Sequence, residues 1–231
     1  MVRTVPLLLV AALGLIAAPA RDPQSDARLK KSFRRPDQNG WIFVHLEGSP
    51  SEIGFQHGYL LAAEIEDAQK VIALTLTHES LKDYTFFRTA AEKVLWPHIE
   101  AQYREELKGI VEGLKAKNVP LDLWDVVALN AWEELSPYYT GWYDEAHKAA
   151  SAKLPAPEHC SAFVATGSYT KDGKIVIAHN NWSEYKEGSR WNIIFDIAPA
   201  NGYRILMASP NSCAPARPCS IPRRLTISRA S

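Results

Sequence analysis

Cys160 is the residue whose type and setting best suit covalent chemistry. It is one of three cysteines, and the other two, Cys213 and Cys219, are close neighbours, which leaves Cys160 as the odd one. In an exported chain a leftover cysteine marks a candidate reactive thiol, although a Cys160–Cys213 disulfide satisfies the same count. Cys160 follows a Pro-rich stretch and opens the apolar run Cys160-Ser161-Ala162-Phe163. The next such run ends in a polar cluster, His179-Asn180-Asn181-Trp182-Ser183. If the chain is cut before Cys160, the residue gains an α-amino group with a pKa of about 7.7–8.0. That amine can take the proton of its own thiol, so no separate histidine is required. Hydrolysis then runs through a thioester acyl-enzyme, with amide or backbone N–H donors stabilising the tetrahedral oxyanion.

These groups have to be carried by ordered elements, and the hydrophobic periodicity supplies them. Trp41 to Leu46 reads as a strand. Ser49-Pro50-Ser51-Glu52 is a helix start, followed by Ile53, His57, Leu60, Leu61, Ile65, Ala68, Val71, Ile72 and Leu76 at helical spacing. A second helical stretch spans Phe86 to Lys117, kinked or broken by Pro97, and a third runs from near Leu121 to Glu134. Pro137, Gly141 and the stretch from His147 to Glu158 read as loop. Four strands follow: Cys160 to Tyr169, Lys174 to Asn180, Trp191 to Ile197 and Tyr203 to Ala208, the first two joined by a tight turn at Lys171-Asp172-Gly173. Helices first and antiparallel strands after argue an α+β fold. Beyond Ser209 the chain is rich in Pro, Arg and Ser and the periodic pattern stops.

Composition narrows the partners. Lys+Arg and Asp+Glu balance at 26 each, which gives no support to nucleic acid as a partner. Residues 1–20 read as a secretory signal: Arg3, an apolar run from Leu7 to Ala18, and the small-residue site Ala18-Pro19-Ala20. The expected mature protein is secreted or periplasmic, or lysosomal in a eukaryote, with no stable membrane span. Residues 21–38 read as a loose basic leader. His57 falls on an apolar helix face, where a core histidine is the competing reading. Asn130 competes with a helix-surface role, and Asn181-Trp182-Ser183 also meets the N-glycosylation pattern. Trp132, Tyr138, Tyr139, Trp142 and Tyr143 suit an acyl pocket or simple packing. No spacing suggests a metal site, and no cofactor is expected.

Several segments together resemble a family. Cys160-Ser161-Ala162, the Lys171-Asp172-Gly173 turn and His179-Asn180-Asn181-Trp182-Ser183-Glu184-Tyr185 are similar to the phospholipase B-like proteins and, more distantly, to the autoproteolytic acyltransferases and hydrolases related to the penicillin acyltransferase. The helix from Gly54 to Ile65, with Asn130-Ala131-Trp132-Glu133-Glu134-Leu135, resembles two further shared segments, so the likeness covers Trp41 to Ala208. It implies an N-terminal nucleophile (Ntn) hydrolase fold, an αββα sandwich with two antiparallel sheets between helical layers. It implies autocatalytic cleavage between His159 and Cys160 and a catalytic set of Cys160, His179 and Asn180. Trp182, Asn130 and His57 are the implied substrate contacts. The resulting division is residues 1–20 signal peptide, 21–159 helical part, 160–208 start of the Ntn β-chain and 209–231 an atypical tail. Amide substrates are favoured over phospholipid esters. The alternatives are a lipid esterase and a catalytically inactive interaction module in which Cys160 pairs with another cysteine. The family's further strands and oxyanion-hole Asn have no counterpart here. From this the chain as written is expected to fold poorly, with Trp191, Ile193, Ile194, Phe195, Ile205 and Leu206 short of cover.

Overall fold

The computed structural model of this chain describes residues 26–147, 160–180 and 192–209. The expected signal segment, His159, residues 181–191 with Trp182 and Trp191, and the tail with Cys213 and Cys219 lie outside them. The described residues form an α+β arrangement: strands β1 (Phe33–Arg34) and β2 (Trp41–Gly48), helices α1 (Pro50–Leu60), α2 (Ala62–Ser80), α3 (Tyr84–Ala90), α4 (Ala101–Ala116), α5 (Leu123–Asn130) and α6 (Thr140–His147), then β3 (Ser161–Gly167), β4 (Gly173–Asn180), β5 (Asn192–Pro199) and β6 (Ile205–Ser209).

Alternation in β2 sends Ile42, Val44 and Leu46 to one face, where they are at most 3% exposed. Ile193, Phe195 and Ile197 of β5 reach the same core and are fully buried. β2 and β5 pair in parallel, Val44 beside Phe195, in a four-stranded sheet of order β1-β2-β5-β6. This corrects the expectation of antiparallel strands only, and it shows why Ile193 and Phe195 are covered: the first long strand supplies their neighbour. Ile205 is half-buried against the core, while Leu206 is exposed. β3 and β4 form a separate antiparallel hairpin.

The helices pack on the inner face of the larger sheet. α1 begins where the sequence signals it, with a capping box between Ser49 and Glu52 and a proline in its first turn. It ends at Leu61, which leaves helical geometry (φ −119°, ψ 25°). There the Arg34 guanidinium donates to the Leu60 carbonyl, an inserted group of the kind that breaks a helix ladder. α1 and α4 meet backbone to backbone through Gly54 and Gly58 on one helix and Gly109 and Gly113 on the other. A Cβ on Gly58 would stand 2.1 Å from the Ile110 carbonyl oxygen, and one on Gly113 2.2 Å from that of Phe55.

One local reading holds and two change. Pro97 breaks the second helical stretch as expected: it sits in a 3₁₀ turn over Trp96–His98 that follows a π-turn over Ala91–Leu95. Pro137 does not start a loop. It sits in a π-turn over Glu134–Tyr139, the Thr140 hydroxyl donates to the Leu135 carbonyl, and α6 carries the helix through Gly141 to His147. Residues 26–38 are not loose. Arg28 stacks 3.4 Å from the centroid of Phe55 and pairs with Asp26 and Glu112, and Arg34 pairs with the buried Glu64 at 2.7 Å. Gln56, 1% exposed, accepts from the Glu47 N–H and donates to the Glu47 and Arg28 carbonyls, which ties this strap to the end of β2.

Candidate functional site

The three residues expected to be catalytic lie at one end of the hairpin. Ser161 pairs with Asn180 and Ala162 with His179 in the antiparallel register. Successive residues of a strand point to opposite faces. Cys160, just ahead of β3, therefore falls on the face of Ala162, Val164, Ile177 and His179. Asn180 falls on the other face, with Ser161, Phe163, Ala165, Val176 and Ala178. The nucleophile candidate and His179 are diagonal neighbours on one face, a relation within reach of longer side chains, and Asn180 is directed away from them. The Cys160 thiol is exposed.

The hairpin is closed by residues 168–172, a longer connection than a tight Lys171-Asp172-Gly173 turn. Gly167 (φ 59°) and Gly173 (φ 74°) occupy the left-handed region at its two ends. Asp172 accepts from the Lys174 N–H and pairs with its ammonium at 2.9 Å, which holds the Asp172 carboxyl below the usual range.

His57 and Asn130 stand elsewhere, in the helical layer. His57 is 2% exposed and meets Phe195 edge-on, with ring centroids 5.2 Å apart. Asn130 ends α5 and donates to the Val126 carbonyl, while its Oδ1 is buried with no hydrogen-bond partner among the described residues. Trp182 and His159 lie outside the described residues. Phe86 of α3, Tyr139 of the π-turn and Trp142 and Tyr143 of α6 form an aromatic cluster, with Tyr138 and Trp142 open to solvent.

A second polar constellation crosses the outer face of the four-stranded sheet. His45 of β2 donates from Nδ1 to Asp196 of β5 at 2.8 Å, and its Nε2 is 3.6 Å from Glu47. Arg204 grips the Asp196 carboxylate through two bonds of 2.6 and 2.5 Å, and Lys31 holds Glu47 at 2.6 Å. The Arg204 bonds, helped by His45, bring the Asp196 carboxyl down to about 2. Both nitrogens of His45 face carboxylates, so the ring serves a cross-strand ion row. The sequence did carry a signal for this row, since His45 and Asp196 are polar residues inside strongly apolar strands. What it lacked was the parallel pairing that joins positions 151 residues apart.

Among the described residues no cluster of His, Cys, Asp and Glu is arranged to hold a metal ion. Among them, too, no helix is long and apolar enough to cross a membrane. No protein-family model matches the chain. It is 24% identical over 186 residues to an uncharacterized protein of Archaeoglobus fulgidus, an alignment covering 74% of this chain and 29% of that protein.

Proposed function

We propose that this chain belongs to an exported, autoproteolytic cysteine hydrolase or acyltransferase of the Ntn type, acting on amide bonds. The observation that carries the reading is the placing of Cys160: an exposed thiol directly ahead of a strand whose hairpin partner carries His179. In the processing step the thiolate attacks the carbonyl of residue 159, the C–N bond to Cys160 breaks, and the released α-amine takes up a proton. Water then hydrolyses the thioester, leaving a carboxylate on residue 159 and Cys160 as a new N-terminus. In turnover that amine draws the proton from the thiol, the thiolate takes the acyl group as the substrate's amide C–N bond breaks, and the amine product leaves with that proton; water or an acceptor then takes the acyl group and the thiol is restored. A sandwich of two facing sheets belongs to this proposal. It is supported by the apolar groups on the outer sheet face, where Phe33, Trp41 and Leu206 are exposed, and by Val164, Ile175 and Ile177, exposed on the His179 face of the hairpin.

The test needs only the chain itself, because self-cleavage is local chemistry at one peptide bond. Residues Arg21 to Ser231 and the Cys160→Ala variant are purified side by side and their N-termini sequenced. The parent is expected to yield a fragment beginning at Cys160 and the variant to remain intact. The same new N-terminus in both would mean an external protease made the cut, and an intact parent would remove the autoproteolytic reading altogether.

A further inference from the structure

The hairpin leaves an apolar face open on the side away from Cys160. Phe163 is 57% exposed there and Val176 47%, with Tyr169 at the turn end 89% exposed. A shallow hollow on this face is lined by Phe163, Ala165, Tyr169 and Val176 and rimmed by Lys171 and Asp172. We propose that this face is the contact surface of a two-fold homodimer, and that its occupant is the same face of a second copy of this chain.

The register supplies the shape argument. Phe163 pairs with Ala178 and Ala165 with Val176, so each cross-strand pair sets a large side chain beside a small one, in opposite order. A two-fold axis running along the hairpin lays β3 of one copy over β4 of the other. Phe163 then falls on Ala178 of the partner copy, and Val176 on Ala165 of the partner copy. A patch that fits itself in this way gives a closed, isologous pair instead of an open chain of contacts.

Charge points the same way. The same rotation brings the turn ends of the two copies together, so Lys171 of each copy joins the Asp172–Lys174 pair of the other, and the contact occurs twice. The face offers on the order of 500 Å² per copy, or about 1,000 Å² in total, at the lower limit of specific interfaces. An interface of that size belongs to the weak, reversible class. Cys160 and His179 stay on the opposite face, and the pairing does not depend on Cys160 being a nucleophile.

Sedimentation velocity across a concentration series of residues Arg21 to Ser231 tests this. The expected result is a reversible monomer–dimer equilibrium. Lys171→Asp and Asp172→Lys are each expected to raise the dissociation constant roughly three- to tenfold, the range for a solvent-exposed ion pair present twice. The two together restore it, and Phe163→Asp abolishes the dimer. All these positions are exposed and outside the folded core, so each variant keeps the parent's circular dichroism. A monomer at every concentration, assemblies that grow past the dimer, or a double exchange that fails to restore association would each overturn the proposal.

Discussion

Gly58→Ala is the substitution that most directly probes how the helical layer is built. In an ordinary helix the change favours the helix by about 1 kcal/mol. At Gly58 the added Cβ stands 2.1 Å from the Ile110 carbonyl oxygen, whereas relaxed C···O contacts lie near ~3.3–3.6 Å. The obstacle is backbone, so no side chain can swing aside and the two helices must part by about 1 Å. Strain of this kind costs about 3 kcal/mol, the upper end for overpacked sites, and the propensity gain offsets about 1 of it. The expected net loss is about 2 kcal/mol, read as a lower denaturant midpoint at an unchanged slope. Gly113 meets the Phe55 carbonyl across the same helix pair, so Gly58→Ala with Gly113→Ala should cost less than the sum. Gly141 is the internal control: a Cβ there has nothing within 4 Å, and Gly141→Ala should stabilise by about 0.5–1 kcal/mol. If Gly58→Ala stabilises the chain as Gly141→Ala does, the close helix contact is not present in solution and the packing argument fails.

Further outcomes follow from the ion row, the strap and the proposed site. The Asp196 carboxyl is held down at about 2, below its unfolded value near ~3.9, so it contributes stability above about pH 4 that is lost as pH falls through about 2. The contribution is about 2 kcal/mol at neutral pH, and Asp196→Asn should remove both it and the slope between those pH values in acid-unfolding curves. Gln56→Ala leaves the Glu47 and Arg28 backbone groups without their amide partner and should cost about 2–4 kcal/mol, with faster hydrogen exchange at the Glu47 N–H as its signature. Amidase activity of the processed chain should rise as the Cys160 amine loses its proton near neutral to mildly alkaline pH, and selective acetylation of that amine should stop turnover. Turnover that survives acetylation would transfer the base role to His179.

The parts of this fold that were legible in the sequence are those written locally. The capping box at Ser49 and Glu52, the alternation in Trp41 to Leu46 and the break at Pro97 all depend on residues a few positions apart. The hairpin that joins Cys160 to His179 is of the same kind. What escaped were relations set by distant neighbours. Two glycine pairs on α1 and α4 look like ordinary helix positions until the helices are brought together, and Arg34 looks like leader until Glu64 and the open Leu60 carbonyl are seen beside it. Pro137 misled for a different reason: it sits inside a π-turn whose end is held by Thr140, whose N–H and hydroxyl both donate to the Leu135 carbonyl, and the helix runs on into α6.

The parallel pairing of β2 with β5 has a consequence for processing. A cut at residues 159–160 places β2 and all six helices in one product and β5 and β6 in the other. The two products share one sheet, eight residues of ladder from Trp41 beside Asn192 to Gly48 beside Pro199. Ile193, Phe195 and Ile197 are fully buried in the core of the first product, and Ile205 and Met207 pack against it. At roughly 1.5–3 kcal/mol for each fully buried side chain, the three alone contribute about 5–9 kcal/mol, with the His45–Asp196 bond added. That gain has to exceed an association cost of about 4 kcal/mol or more. The cut chain should therefore elute from a sizing column at the position of the intact one, and its two pieces should separate only in denaturant. The same experiment can be run without self-cleavage, by placing a protease site within residues 148–159. Phe195→Ala together with Asp196→Ala should let the pieces part at low micromolar concentration. Pieces of the parent sequence that elute apart under native conditions would show that β5 is not held in the sheet with β2, and would return Ile193 and Phe195 to the uncovered state expected from sequence.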